Sequence, residues 1–281
     1  MEENIRENKM GTMPIGKLLA NMAGPVMISM LFQALYNIVD SVFVARLSQD
    51  AMNAVSLAFP LQMLCIAFSV GTGVGINALL ARSLGEKNQV AVNRAAGTGL
   101  FLVLCTAAVF MLLGFTLAEP FFRLQTANEQ IIAYGRDYVM ICIGGSLGIF
   151  VQVYGERLLQ ATGRTNLSMI AQIAGAVCNI VLDPILIFKL GMGVRGAALA
   201  TIVSQGVSCL WVVLFLFSKK SVLKLRVQNF LQSPRLILPC VGLGTATFIM
   251  QASESVLSVC FNSSLARYGG EVCCFMSDED V

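Results

Sequence analysis

Histidine is missing from this sequence altogether. With it go the commonest general base, the commonest zinc ligand and the usual partner of a serine or cysteine nucleophile. Charge is scarce as well: Asp, Glu, Lys and Arg make up 12 % of the 281 residues, against 56 % hydrophobic. A soluble domain carries about 25 % charged residues, so the composition points to lipid. The net charge of +3 is too small and too dispersed for a nucleic-acid surface, and no nucleic-acid partner is expected. Seven of the nine cysteines (Cys65, Cys105, Cys142, Cys178, Cys209, Cys240 and Cys260) stand singly in apolar segments, without CxxC or ligand spacing. That argues against disulfides and soft-metal sites and leaves them as small apolar residues. The first 16 residues are polar and show no short apolar core followed by a cleavage site, so the first span is expected to stay as an anchor.

What the chain has in quantity is long apolar runs at near-regular intervals. A bilayer core about 30 Å thick takes roughly 20 apolar residues per helical crossing. Seven spans are predicted on that basis: 16–47, 51–84, 91–118, 137–160, 166–190, 196–217 and 236–266. The fold class is therefore all-α, a polytopic transmembrane bundle. Around the spans the chain divides into a cytoplasmic N-terminal segment (1–15), a six-span lobe (16–217), a basic loop (218–235), a seventh span (236–266) and a polar tail (267–281). Lys and Arg on alternate connections number thirteen on the N-terminal side and six on the other. The positive-inside rule then places the N-terminus in the cytoplasm of a multi-pass membrane protein. Shifting the chain by 221 residues lays Ile28 on Ile249, Gln33 on Glu254, Ala45-Arg46 on Ala266-Arg267 and Asp50 on Glu271. The seventh span thus reads as the opening helix of a second, related half.

Ionisable groups inside a span are costly, and three stand out: Asp40, Asp183 and Glu254. Gln33, Asn37 and Asp40 lie at i, i+4 and i+7, one polar stripe on the first span. Asn179 and Asp183 share a face of the fifth, and Thr201, Ser204, Gln205 and Ser208 mark the sixth. Hard oxygen donors of this kind suit Na⁺ or a shared proton. The competing reading is interhelical hydrogen bonding without transport chemistry. Pro25, after Gly24, is expected to bend the first span, and Pro184 to loosen the helix beside Asp183. Gly71, Gly73 and Gly75 look like a phosphate loop only superficially; inside a span they predict close helix packing.

Four runs carry a family resemblance. They are Gly24-Pro25 with Gln33-Ala34-Leu35-Tyr36-Asn37-Ile38-Val39-Asp40, then Ala81-Arg82-Ser83-Leu84-Gly85-Glu86, Leu158-Leu159-Gln160-Ala161-Thr162-Gly163, and Asn179-Ile180-Val181-Leu182-Asp183-Pro184. Together they resemble multidrug and toxic compound extrusion (MATE) exporters, nearest the bacterial DinF-like and MepA-like branch, over residues 11–271. The resemblance implies one complete six-helix lobe plus the first helix of a second lobe, in a carrier that alternates access across the bacterial cytoplasmic membrane. It implies a cation site, for H⁺ or Na⁺, at Asp40, Asn179, Asp183 and Thr201, with the Ala197 carbonyl as a further ligand. It also implies a drug cavity beside Gln33, Tyr36, Asn37 and Glu254, and a helix that bends at Pro25.

Members of that family are longer, and residues 272–281 do not resemble the start of an eighth span, so a chain cut short by a frame shift, an early stop or a gene-model error is expected. The function implied is export of organic cations or drugs in exchange for the coupling ion, by a monomer with no other cofactor and no enzymatic activity. An inert fragment, a lipid-linked precursor flippase of the same superfamily and an intramembrane aspartyl protease using Asp40 and Asp183 are the alternatives. The protease lacks its GxGD setting, and the flippase lacks arginine well inside the early spans.

Overall fold

The computed structural model describes residues 13–126, 128–218 and 237–269, and all regular structure among them is helical. The helices are α1 (Ile15–Ala45), α2 (Gln49–Gly85), α3 (Gln89–Gln125), α4 (Glu129–Gly144), α5 (Ser146–Ala161), α6 (Thr165–Pro184), α7 (Val194–Phe217) and α8 (Ile237–Gly269), with a π-helical turn, Ile185–Lys189, after α6. The chain is an all-α polytopic bundle. Most of the expected N-terminal segment, basic loop and polar tail, Glu271 included, lies outside the described residues.

Short polar residues start α2, α3 and α4. The Ser48 hydroxyl accepts from the Ala51 N–H at 3.1 Å, the Asn88 carboxamide from Ala91 at 3.1 Å and that of Asn128 from Gln130 at 3.0 Å. Each satisfies one of the first-turn donors that a helix cannot pair internally. The α5–α6 connection turns on Gly163, whose φ of 73° is open to glycine and strained for other residues.

Five helical stretches (α1, α2, α3, α6 with its π turn, and α7) are long and apolar enough to cross a membrane, and α4 with α5 makes a sixth, bent by 48°. One expectation needs correcting. The fourth span is not one helix over 137–160: it begins at Glu129, where Asn128 caps it, and breaks at Gly144-Gly145, two adjacent residues with no side chain to hold a straight helix. The seventh helix forms where expected, but with Thr245, Thr247, Gln251, Ser253, Glu254 and Ser255 diluting its apolar content it is not among the stretches apolar enough to cross on composition alone.

Two apolar cores stack along the bundle. One joins the two turns of α2 and α3 that hold Ile76, Leu80, Val92 and Val103 to Phe150, Tyr154 and Leu158 of α5 and to Val212 of α7. The other joins Val44 and the start of α2 to the end of α3, to Ile131, Tyr138 and Val139 of α4, and to Ile187 and Val194. Helix α8 lies along α2 at backbone contact, where Cys240 and Gly244 meet the Gly71/Gly75 face; a Cβ on Gly75 would run into the Cys240 carbonyl oxygen, and one on Gly244 into that of Gly71. Glycine is required there because the two backbones touch. This is the close packing expected of the Gly71-Gly73-Gly75 run.

Candidate cation site and substrate cavity

Helix α6 is regular from Thr165 to Pro184, so the four-residue spacing puts Asn179 and Asp183 on one face. Both are buried, at 1 % and 0 % exposure, and the Asn179 amide donates to Asp183 Oδ1 at a long 3.5 Å. Pro184 cannot donate a backbone hydrogen bond, and the chain widens into the π turn, closed by the Leu190 N–H on the Ile185 carbonyl at 2.9 Å. The loosening expected at Pro184 takes this form. Asp40 comes from α1, which packs chiefly on α6. Asp40 stands within electrostatic reach of Asp183, and both stand within reach of the Tyr36 hydroxyl. Residues 143 positions apart in sequence are thus in one electrostatic neighbourhood.

The hydrogen-bond inventory of this neighbourhood is lopsided. Asp40 Oδ1, Asp183 Oδ2 and Asn179 Oδ1 are buried and accept no hydrogen bond, and Gln205 Oε1 is in the same condition. All four are acceptors. Buried polar atoms are nearly always satisfied, so a group of unpaired acceptors points to a cation or proton as the missing partner. The Thr201 hydroxyl donates at 3.1 Å to the Ala197 carbonyl, which also takes the helical N–H of Thr201, so the lone pairs left for a cation are those of the Thr201 oxygen itself.

In front of the pair opens a cavity of about 440 Å³ between α1, α2, α4 and α7. Gln33, Tyr36, Asn37 and Asp40 line one wall, with Thr201 and Gln205 on α7. Asn179 and Asp183 lie behind this wall and are not lining residues. Among the described residues no Lys or Arg lines the cavity and Asp40 is the one carboxylate, so the field of this lining favours cationic or neutral guests. Four polar lining residues escaped sequence reasoning: Ser41, Ser56, Gln62, whose amide donates to the Tyr138 hydroxyl at 3.3 Å, and Tyr138 itself. A lone amide in an apolar stretch, one turn of helix past Ala58, was the available signal for Gln62.

Glu254 is exposed on α8 and is not among the described residues that line this cavity. Cys240, Gly244 and Phe248, at four-residue intervals, make the face that meets α2, and Glu254, six residues past Phe248, points off that face.

With fold and site in view, comparison with known proteins decides the family. Residues 25–185, which carry α1 from Pro25 through Asp183, match the MatE family profile. The chain belongs to the MatE family. It is similar to the FAD transporter of Shewanella oneidensis, at 30 % identity over 68 % of this chain and 43 % of that protein. It is also similar to the multidrug export protein MepA of Staphylococcus haemolyticus, at 26 % identity over 91 % of this chain and 57 % of that protein. Among solved structures, an outward-facing multidrug resistance MATE transporter of the MOP superfamily superposes with a TM-score of 0.84 at 30 % identity, covering 91 % of this chain and 57 % of that one. The chain therefore spans about half the length of the curated MatE relatives it matches.

Proposed function

We propose that this chain is the cation-coupling part of a secondary active antiporter that exports amphipathic organic cations in exchange for H⁺ or Na⁺. The observation that carries the reading is the set of buried, unpaired acceptors at Asp40, Asp183 and Asn179. Carboxylate, carboxamide and hydroxyl oxygens are hard donors that fit Na⁺, and a carboxylate pair equally takes one shared proton. Asp40, Asn179, Asp183 and Thr201 hold the ion, and the Ala197 carbonyl supports Thr201. Gln33, Tyr36 and Asn37 face the guest across the same cavity wall. The names of the relatives, a multidrug exporter and an FAD transporter, differ in cargo; the absence of Lys and Arg among the described lining residues favours organic cations over an anionic dinucleotide.

Coupling requires that the ion bind one conformation better than another. Asp40 rides on α1, where only Ser29 and Val44 are buried, and Asp183 sits in the fixed bundle. Ion occupancy draws the two together and bends α1 at Pro25, which changes the cavity wall offered to the guest. The chain acts as a monomer in the bacterial cytoplasmic membrane with its N-terminus inside.

The test is competition between a fluorescent organic cation and Na⁺ or H⁺ on the purified chain. Release of the dye by either ion, lost in Asp40→Asn and Asp183→Asn while dye affinity at low ion concentration is retained, supports the reading. Ion-insensitive dye binding in the unmutated chain would sink it.

A further inference from the structure

A third carboxylate is buried in the bundle, away from the cavity. Glu156, on α5, is 6 % exposed and forms no ion pair among the described residues. Two side-chain amides hold it: Gln152, one turn earlier on α5, donates to Oε1 at 3.1 Å, and Gln172 of α6 donates to Oε2 at 2.6 Å. The charge acting on it is Arg157, its neighbour on the same helix. That guanidinium donates instead to Gln160 Oε1 at 3.0 Å, with its stem against Gly73 of α2. Helix α6 presents the Gln172 amide to Glu156, and no ion pair reaches it from α2, α3, α4 or α7, the other helices packed on α5. A carboxylate buried without a cation is costly, and two neutral donors offset only part of that cost.

Position gives the group its meaning. Gln172, Asn179 and Asp183 lie at i, i+7 and i+11 on one regular helix, within about 20° of a single line. Gln172 is about 10 Å along the axis from Asn179, toward the α5–α6 turn, at 1.5 Å per residue. Between them Ser208 of α7, 1 % exposed, donates to the Ala171 carbonyl at 2.8 Å and lies against Gly175. Buried polar groups thus stand at both ends of this face of α6, Asn179 with Asp183 at one and Gln172 with Glu156 at the other, with Ser208 beside the stretch between.

We propose that Glu156 is a second ionisable station, joined to the Asp40–Asp183 site by this face of α6, which takes up a proton or Na⁺ when that site releases its own. The inference rests on the coupling reading above for what reaches the first site. A relay of this kind needs an acceptor nearer the membrane face than the coupling pair, and Glu156 is the buried carboxylate the fold puts there.

The experiment reads each site separately. The full chain in phosphatidylcholine liposomes is treated with dicyclohexylcarbodiimide, which labels protonated carboxyls in apolar surroundings, across a pH series with and without Na⁺; labelling of Glu156, Asp40 and Asp183 is quantified by peptide mass spectrometry. The expected result is pH-dependent labelling at Glu156 that changes by at least about fivefold at fixed pH in Asp183→Asn, the lower end of site-to-site couplings. Gln172→Leu keeps the carboxylate and removes the α6 donor; it is expected to abolish the response of Glu156 to Asp183→Asn and to leave Asp183 labelling intact. A Glu156 that never labels, or labels identically in Asp183→Asn, overturns the proposal while leaving the first site standing. Labelling of Glu156 with Asp40 and Asp183 inert to pH and Na⁺ would instead remove the coupling reading, and the linkage with it.

Discussion

Helices α1 and α2 are neighbours in sequence, similar in length and both apolar, yet they are held very differently. Fifteen of the 37 residues of α2 are buried, including the glycine face that takes α8, whereas α1 buries only Ser29 and Val44 among its 31 residues. Helix α2 is a post of the bundle, and α1 leans on α6 along one side. The site's two carboxylates are divided between these kinds of support: Asp40 on the loosely held helix, Asp183 at 0 % exposure in the packed interior. A pair built this way changes geometry when one helix moves, and that is what a coupling site needs.

The contrast can be broken most sharply at Gly75. A Cβ there meets the backbone oxygen of Cys240, which cannot swing aside, so Gly75→Leu should force α2 and α8 apart at a cost of about 3 kcal/mol or more, the upper range for overpacking. Thermal unfolding of the purified chain checks it, and an unchanged midpoint would mean that the α2–α8 seam is not a support. Next in size is Asp40→Asn. If the site binds its ion, Na⁺ at about one hundred times its Kd should stabilise the unmutated chain by about 2.7 kcal/mol, and that gain should vanish in the variant; the same melts, with and without Na⁺, read it.

Smaller effects sharpen the comparison. Tyr154, 2 % exposed in the first core, donates its hydroxyl to the Ala96 carbonyl, so Tyr154→Phe should cost about 1 kcal/mol in denaturant titration. Gly24→Ala on α1 should do the reverse. Beyond its chain neighbours and its own helix backbone no atom lies within 4 Å of the added methyl, and alanine favours a helix interior over glycine by about 0.5–1 kcal/mol. A stabilised Gly24→Ala beside a destabilised Gly75→Leu would confirm the difference in support; destabilisation at Gly24 would show α1 to be packed as tightly as α2.

How much of this was legible depended on whether the information was local. Helix positions followed from apolar runs, since a segment that buries its backbone in lipid must close its own hydrogen bonds. The break at Gly144-Gly145 was legible in principle but was masked by the apolar residues on both sides, which read as one span. Glu156 was missed because Arg157 follows it, and a Glu-Arg pair near a span end reads as surface. Contact with α2 sets the rotation of α8 and leaves Glu254 exposed, and nothing local to Glu254 encodes that.

The sequence by itself determined the class of molecule, the helices that build it, and the polar faces of α1 and α6, because composition, turn residues and the 3.6-residue period act over a few turns. Only the tertiary structure decided that the Asp40 face of α1 packs toward the Asp183 face of α6, that Asp40 lines the cavity while Asn179 and Asp183 do not, and that Glu156 joins the same face of α6 through Gln172. Those pairings depend on which helix lies against which and at what rotation, and that is settled by backbone approach at glycines and side-chain packing between segments far apart in the chain.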